Sequence, residues 1–228
     1  DSGDTVLVEN PSFIGALSAF RSYEANLVSV PLTDVGIDIE QLKIRLENTR
    51  PKPKFLYYCP NFHNPAGIIY SMEVKQQMIE LLKDQDIVLI EDDVYSDLYF
   101  YEEDVPKMKL IKAMNPEGID VCFTGSFSKI LGPGLRLGWM LVPDHIYRKC
   151  ELIKQSIDAC SPSISQVIAD KFVRGGYIYD YTASVRQEYK KRGLAMIEVL
   201  EKNLPSYVTF EKPRGGFYIW LHLPEGTD

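Results

Sequence analysis

The sequence predicts an α/β protein with a mostly parallel β-sheet that is covered by helices on both faces. Two observations support this class: short apolar runs of strand length alternate with longer amphipathic segments, and helix-capping residues stand at the start of those segments. The runs predicted as buried strands are Val6–Val8, Leu27–Val30, Phe55–Cys59, Ile87–Ile90, Val121–Thr124 and Trp139–Val142. In such a sheet, ligands bind beyond the carboxyl ends of the strands.

Helix-start signals separate several of these runs. Asp38 and Gln41 form a capping-box-like start for one helix, and Leu42 and Leu46 continue its apolar face. Ser71 is the expected cap of a second helix. Its apolar residues repeat at helical spacing: Val74, Met78, Leu81 and Leu82.

After Pro143 the pattern becomes mostly helical. Helices are predicted over His145–Ala159, Ser163–Val173 and about Tyr177–Leu204, followed by strands over Val208–Phe210 and Phe217–Leu223. We place a domain boundary near Gly175-Gly176, which divides the chain into residues 1–175 and 176–228. The first strand begins almost at once and the sequence stops just after a strand, so we expect a fragment of a longer protein.

The composition excludes several classes of protein. With 45% hydrophobic and 25% charged residues, it is typical of an ordinary globular domain. The sequence contains no apolar run long enough for a membrane span, and its start lacks the pattern of a signal peptide. Because 25 Lys and Arg stand against 32 Asp and Glu, the net charge of −7 gives no general attraction for phosphate backbones. We therefore expect no nucleic-acid role for this segment.

The cysteines and histidines suggest neither disulfides nor a metal site. Cys59, Cys122, Cys150 and Cys160 form no CxxC pair and lie in apolar stretches, so we expect buried free thiols in a reducing, cytoplasmic compartment. The three histidines are far apart and share no metal-ligand spacing. No metal site is predicted.

The most informative stretch, residues 125–138, contains a lysine preceded by two serines and followed by an arginine. Because it follows a predicted strand, Ser126, Ser128 and Lys129 should lie beyond the carboxyl end of that strand. Hydroxyls and the guanidinium of Arg136 can hold a phosphate, and a lysine can form an imine with a carbonyl. An exposed lysine in a Gly/Pro-rich loop is the alternative. A Walker-A loop is excluded, because no GxxxxG precedes the lysine.

Two other polar stretches directly follow predicted strands. Asn64 precedes Pro65, which restricts Asn64 to extended conformations and fixes where its amide points, although a simple turn has the same pattern. Asp92 and Asp93 follow the strand Ile87–Ile90. Carboxylates there either cap a helix start or pair with a buried cation. Alternation alone does not say which aspartate points into a site.

The order of these motifs resembles that of the class I/II aminotransferases of fold type I. The motifs are Asn-Pro-Ala-Gly, then Asp-x-x-Tyr, then Ser-x-Ser-Lys with an arginine seven residues later. The resemblance covers essentially the whole chain and is closest to the branch of 2-aminoadipate and kynurenine aminotransferases and of MocR regulators. It implies a pyridoxal 5′-phosphate-binding large domain over residues 1–175 and part of a small domain over residues 176–228.

The resemblance also implies a role for each motif residue. Lys129 resembles the Schiff-base lysine that later carries a proton between the substrate Cα and the cofactor C4′. Asp92 is similar to the acid that pairs with the pyridinium nitrogen, and we expect Asp93 to cap a helix or meet solvent. Asn64 and Tyr95 resemble the pair that hydrogen-bonds the 3′ oxygen of the ring. The other cofactor contacts implied are Phe13, stacked on the ring, and Ser126, Ser128 and Arg136, as phosphate ligands.

These roles imply a ping-pong aminotransferase that moves an amino group between an amino acid and a 2-oxo acid, with a homodimer as the expected assembly. Two alternatives stay open. One is an effector-sensing domain of a MocR/GntR-type regulator, with a DNA-binding domain upstream of Asp1, and the other is a lyase or decarboxylase of the same fold. The family's glycine-rich phosphate loop and its arginine for the substrate carboxylate correspond to positions outside this sequence. No substrate arginine is therefore assigned, and the amino donor is not defined.

Overall fold

The computed structural model describes residues 1–114 and 116–227, and within them one large β-sheet forms the centre of the fold. Its strands are β1 (Thr5–Asn10), β2 (Asn26–Thr33), β3 (Gly36–Ile37), β4 (Pro53–Tyr58), β5 (Val88–Asp92), β6 (Asp120–Ser126) and β7 (Gly138–Leu141). The strand order is β3-β2-β1-β4-β5-β6-β7. The inner five strands are parallel, whereas β3 and β7 pair antiparallel at the two edges. The α/β class with a mostly parallel sheet is confirmed.

Helices connect and follow these strands. They are α1 (Ile14–Ser22), α2 (Ile39–Asn48), α3 (Met72–Leu82), α4 (Ile111–Met114), α5 (Asp144–Ile157), α6 (Ser163–Arg174) and α7 (Tyr177–Asn203). Short 3-10 helices cover Ser96–Leu98, Glu102–Met108 and Pro133–Leu135. A small antiparallel pair, β8 (Thr209–Phe210) and β9 (Leu221–His222), follows α7. No helix in the described part of the chain is long and apolar enough to cross a membrane.

The two predicted helix caps are confirmed. The Asp38 carboxylate accepts a hydrogen bond from the Gln41 backbone N–H at 3.0 Å, and the Ser71 hydroxyl accepts one from the Val74 N–H at 3.1 Å. Each bond satisfies an N–H that has no partner within the first turn. Helix α1 has no such cap, because Phe13 stands at its N-cap position.

Alternate residues of each strand face opposite sides of the sheet, and this alternation builds two apolar layers. One layer packs the sheet against α2 and α3 and contains the strand residues Leu7, Val30, Leu56, Tyr58, Leu89 and Val121. The other lies beside α1 and contains Val6, Val8, Phe55, Tyr57 and Ile90. The neighbours Tyr57 and Tyr58 therefore point to opposite faces.

The prediction of a buried strand at Trp139–Val142 is wrong about burial. Strand β7 forms there, but Trp139, Met140 and Leu141 are exposed. Their apolar character predicted a buried strand, whereas β7 is an edge strand that pairs with β6 alone. The expectation of four buried thiols also fails in part: Cys59 and Cys122 are buried, Cys150 is half-buried, and Cys160 is exposed.

The segment after α7 pairs with residues 98–100, beyond the end of β5, and only Leu221–His222 of the long strand predicted at Phe217–Leu223 forms. The Phe100 N–H donates to the Arg214 carbonyl at 2.8 Å, and the Gly216 N–H donates to the Leu98 carbonyl at 3.1 Å. Gly216 has φ +68°, a conformation that favours glycine, and a Cβ there would lie 2.6 Å from the Phe62 side chain. The following residues are thereby directed toward the ends of β4 and β5. The domain boundary near Gly175-Gly176 stays a prediction.

Candidate active site

A pocket of about 360 Å³ opens at the carboxyl ends of the parallel strands. Each residue that the sequence singled out for a site lines it: Phe13, Asn64, Asp92, Tyr95, Ser126, Ser128, Lys129 and Arg136. These residues come from the ends of β1, β4, β5 and β6, where an open α/β sheet binds ligands. Residues up to 123 positions apart in the chain, Phe13 and Arg136, thus meet at one site.

A larger cavity, about 560 Å³, lies between α7 and residues 213–219. Its lining is mostly apolar and aromatic, and Arg192 is its one charged lining residue. The smaller pocket instead combines a carboxylate, an amine, a guanidinium and several hydroxyls. Because these groups can do acid–base and nucleophilic chemistry, the smaller pocket is the candidate active site.

Asp92, the last residue of β5, presents a half-buried carboxylate to the pocket. Its Oδ2 accepts a hydrogen bond from the Tyr57 hydroxyl at 2.5 Å, and its Oδ1 accepts one from the Thr124 hydroxyl at 3.0 Å. Burial raises the pKa of Asp92, while these two hydrogen bonds oppose that rise. Within the described residues, Asp92 forms no salt bridge, so the carboxylate is held by neutral donors.

Asp93 points away from the pocket. Its carboxylate accepts a hydrogen bond from the Ser96 backbone N–H, 3.3 Å away, at the start of a 3-10 helix. Burial raises the pKa of Asp93 to about 7. Of the two aspartates, Asp92 is therefore the one that can meet a ligand, and Asp93 caps a helix start in a buried position.

Asn64 and Tyr95 both line the pocket wall. Burial raises the pKa of the Tyr95 hydroxyl, and the neighbouring Tyr218 hydroxyl raises it further, whereas the nearby Asn64 amide lowers it. The Tyr95 and Tyr218 rings meet edge to face, with centroids 5.9 Å apart. Because Asn64, Tyr95 and Tyr218 line the same pocket, an amide and hydroxyls are available there to a bound ligand.

The loop that carries Asn64 is fastened to a buried carboxylate at the end of β1. The Glu9 carboxylate accepts hydrogen bonds from the Cys59 N–H at 3.1 Å and from the Tyr70 hydroxyl. It also pairs with His63, whose Nε2 lies 3.0 Å from the Glu9 Oε2. Because the His63 Nδ1 accepts the Ala66 N–H at 3.0 Å, the imidazole proton lies on Nε2 and is donated to Glu9.

Lys129 lies in the tight turn after β6. Its Nζ is 5.3 Å from the ring centroid of Phe217 and 6.0 Å from that of Tyr95. The neighbouring Ile130 is buried, and the Leu131 N–H donates to the Phe127 carbonyl at 2.8 Å, so the turn itself is well anchored. The amine therefore stands between two aromatic rings at the pocket.

Ser126, Ser128 and Arg136 can together bind an anion. The Ser126 hydroxyl oxygen accepts the Ser128 N–H at 3.1 Å, which leaves its own O–H able to donate outward. Arg136 uses Nη1 on the Pro133 carbonyl at 3.2 Å, and a guanidinium carries four further N–H donors. Several hydroxyl and guanidinium donors that line one pocket suit a phosphate.

The sequence did not single out Tyr57, Thr124 or Tyr218, which also take part in the site. Tyr57 and Thr124 lie in apolar strands, where their types are typical of packing residues, and Tyr218 lies in a predicted strand. Their partners come from distant parts of the chain, so only the strand register reveals them. Within the described residues, no group of three or more His, Cys, Asp or Glu is placed to hold a metal ion.

Comparison with known proteins gives matches over the whole chain. The profile of the family described as aminotransferase class I and II matches residues 1–228. Aromatic-amino-acid aminotransferase 1 of Thermococcus litoralis is 41% identical over 229 residues, which cover 99% of this chain and 54% of that protein. The HTH-type transcriptional regulator YisV of Bacillus subtilis is 35% identical over 219 residues, which cover 95% of this chain and 43% of the regulator.

Solved structures give the same fold. The kynurenine aminotransferase of Pyrococcus horikoshii, crystallised in complex with PMP, superposes with a TM-score of 0.93 and 40% sequence identity. The match covers 100% of this chain and 56% of that structure. The chain thus spans about half the length of the curated relatives it matches, 54% in the case of the Thermococcus litoralis protein.

Proposed function

The chain belongs to the aminotransferase class I and II family, and on this premise we propose that it forms the cofactor-binding part of a pyridoxal 5′-phosphate-dependent aminotransferase. The enzyme moves an amino group from an amino acid to a 2-oxo acid. One observation carries the proposal: a half-buried carboxylate, a lysine and a set of anion donors line the same pocket. The relatives named as aminotransferases support it.

The donors of the pocket fit pyridoxal phosphate group by group. The Asp92 carboxylate, which lacks a cationic partner among the described residues, suits a protonated ring nitrogen. Ser126, Ser128 and Arg136 suit the phosphate, and the Lys129 amine suits the carbonyl carbon. When bound, this cofactor withdraws electrons from the substrate Cα, which makes the Cα proton acidic.

The residues of the chain then have distinct roles. Lys129 would hold the cofactor covalently through Nζ, and its free amine would take the proton from the substrate Cα and deliver it to C4′. Asp92 keeps the proton on the ring nitrogen, because a nearby anion favours the protonated form. Asn64 and Tyr95 donate to the 3′ oxygen. Phe13, which is exposed at the pocket mouth, would cover one face of the ring.

A second candidate function is an effector-sensing domain of a transcriptional regulator. The match to the Bacillus subtilis protein favours it, because that protein is named a transcriptional regulator and this chain aligns with 43% of its length. The two functions differ in what lies upstream, because a regulator needs a DNA-binding domain there. The acidic charge of this chain, −7, does not count against the regulator, because its DNA contacts would lie elsewhere.

We further propose that the full-length protein is a homodimer in the cytoplasm. The family resemblance supports the dimer, and four free cysteines support a reducing compartment. Sedimentation of the full-length holoprotein tests the assembly. A fully active monomer contradicts the proposed dimer.

The proposed activity is tested by two half-reactions of the full-length protein loaded with pyridoxal phosphate. An amino donor added without an acceptor should release one equivalent of its 2-oxo acid, and a second 2-oxo acid should then restore the starting absorbance spectrum. Release of carbon dioxide or ammonia instead indicates a decarboxylase or a lyase. A protein that binds the cofactor and turns over no amino acid indicates the sensing domain.

A further inference from the structure

Two consecutive tyrosines on β4 each donate a hydrogen bond to a carboxylate on β5. The Tyr57 hydroxyl donates to Asp92 at 2.5 Å, and the Tyr58 hydroxyl donates to Glu91. Because neighbouring strand residues face opposite sides, the two pairs lie on opposite faces of the sheet. The Tyr57–Asp92 pair lines the candidate active site, whereas Tyr58 and Glu91 do not.

We propose that Tyr57 is a positioning residue for the amino transfer, acting with Thr124 to hold the Asp92 carboxylate as an anion directed at the ring nitrogen of the bound cofactor. The inference rests on the proposed function, because it concerns the binding of pyridoxal phosphate at this pocket. Tyr57 acts through Asp92 and needs no contact with the cofactor.

The first argument is that Asp92 needs help to stay ionised. Its side chain is half-buried, and partial removal from water disfavours the charged form of the carboxylate. The nearest donors are the two hydroxyls of Tyr57 and Thr124, since no basic side chain of the described residues pairs with Asp92. Hydrogen bonds to a charged group stabilise that charge more than bonds between neutral groups do.

The second argument concerns direction. An ionised carboxylate has about four lone-pair sites, and Tyr57 and Thr124 occupy one on each oxygen. Thr124 stands directly beside Asp92 in the pairing of β5 with β6, and Tyr57 reaches Asp92 diagonally from β4. Held from both neighbouring strands, the carboxylate cannot rotate freely, and its remaining lone pairs are left for a donor in the pocket.

The third argument is that Tyr57 is itself fixed as a donor. Its ring packs edge to face on Phe20, with centroids 5.6 Å apart, and 4% of the residue is exposed. Burial, followed by the charge of Asp92, raises the pKa of the Tyr57 hydroxyl far above its ordinary value. The hydroxyl therefore stays protonated and donates a hydrogen bond to Asp92 throughout the working pH range.

The test uses the full-length holoprotein loaded with pyridoxal phosphate that is ¹⁵N-labelled in the ring. The ¹⁵N chemical shift reports whether the ring nitrogen is protonated, independently of turnover. Tyr57→Phe keeps the ring packed on Phe20 and removes only the donor. It should move the signal toward that of neutral pyridine and weaken cofactor binding by about tenfold, the scale of one hydrogen bond to a charged group.

Tyr58→Phe is the matched control, since it removes the same hydroxyl from a carboxylate on the opposite face. Its ¹⁵N signal should equal that of the wild type even if the protein is less stable. Thr124→Val, a second variant in case Tyr57→Phe does not fold, should move the signal in the same direction, and Thr124→Ser, which keeps the hydroxyl, should restore it.

An unchanged ¹⁵N signal in both Tyr57→Phe and Thr124→Val overturns the inference and leaves the proposed function intact. An equal movement in Tyr58→Phe also overturns it, because the effect would then follow general loosening of the sheet. A wild-type protein that binds no cofactor overturns the proposed function, and the inference with it.

Discussion

The imidazole of His63 and the carboxylate of Glu9 form a fully buried pair, with 3.0 Å between Nε2 and Oε2. The pair joins the end of β1 to the loop that carries Asn64. Since the Cys59 N–H and the Tyr70 hydroxyl donate to the same carboxylate, Glu9 fixes both ends of that loop. The position of Asn64 at the pocket therefore depends on a residue that lies outside the pocket.

Glu9→Gln should destabilise the protein markedly. The substitution removes the charge and brings an amide N–H toward groups that are themselves donors, and a buried donor left without an acceptor costs about 1–3 kcal/mol. We expect a loss of about 2–4 kcal/mol in the free energy of unfolding, measured by urea denaturation of the full-length protein. The matched control is Glu80→Gln, which breaks an exposed pair with Lys83 and should cost less than about 1 kcal/mol. Equal losses in the two variants contradict the role of Glu9.

Asp92→Asn should leave cofactor binding largely in place and slow amino transfer strongly. The proposed phosphate donors Ser126, Ser128 and Arg136 are unchanged in this variant, but an amide would no longer hold the proton on the ring nitrogen. On the scale of a broken buried ion pair, about 3–5 kcal/mol, kcat should fall by roughly 10²–10³ or more. Asp93→Asn is the control and should keep most of the turnover, because Asp93 faces away from the pocket. The opposite ranking of the two variants would show that the aspartates are assigned the wrong way round.

Asp93→Asn should also change how stability depends on pH. The pKa of Asp93 is raised to about 7 in the folded protein from an ordinary 3.8, so between these pH values the folded state binds more protons than the unfolded state. Stability from this group is therefore greatest at low pH and falls as pH rises from about 4 to about 7. The loss amounts to roughly 4 kcal/mol at 1.36 kcal/mol per pH unit. The ammonium of the nearby Lys75, whose pKa is about 8, stays charged through this window.

The measurement is the free energy of unfolding of the two proteins as a function of pH. Asp93→Asn keeps an oxygen that can accept the Ser96 N–H, and its curve should lack the fall seen in the wild type. Other buried carboxylates titrate in both proteins, so the difference between the curves isolates Asp93. Parallel curves from pH 4 to pH 7 rule out the buried, proton-binding state of Asp93.

The sequence predicted the strands and caps well because their signals are local. The carboxylates and hydroxyls that cap α2 and α3 lie next to the N–H groups that they satisfy. Helix α1 was missed because Phe13 offers no capping atom, and the exposure of β7 was missed because an apolar run does not show whether a neighbour covers it. The local sequence pattern therefore predicts whether a strand or a helix forms, whereas the burial of that element depends on packing against residues that are distant in the sequence.

The candidate site was predictable in outline and not in its supporting contacts. The sequence predicted that Asn64, Asp92 and Lys129 lie close together, because each follows a strand and parallel strands end at one edge of the sheet. The choice of Asp92 over Asp93 came from family resemblance. In the structure the same choice follows from the directions of the two side chains, because Asp92 faces the pocket and Asp93 faces the Ser96 N–H. The Tyr57–Asp92 bond joins residues 35 positions apart, and it exists only in the observed register of β4 and β5.

The most direct test of the central claim is to locate the lysine that carries the cofactor. Borohydride reduction of the full-length holoprotein followed by peptide mapping should place the pyridoxyl label on Lys129, and Lys129→Ala should lose both the label and amino transfer. Lys75 is the informative internal comparison, because burial lowers its pKa to about 8 and so increases the neutral, nucleophilic fraction of its amine. Its Nζ is, however, bonded to the carbonyls of Lys107 and Lys109, each at 2.9 Å, away from the pocket. A label on Lys129 alone supports the account, whereas a label on Lys75, or one that persists in Lys129→Ala, contradicts it.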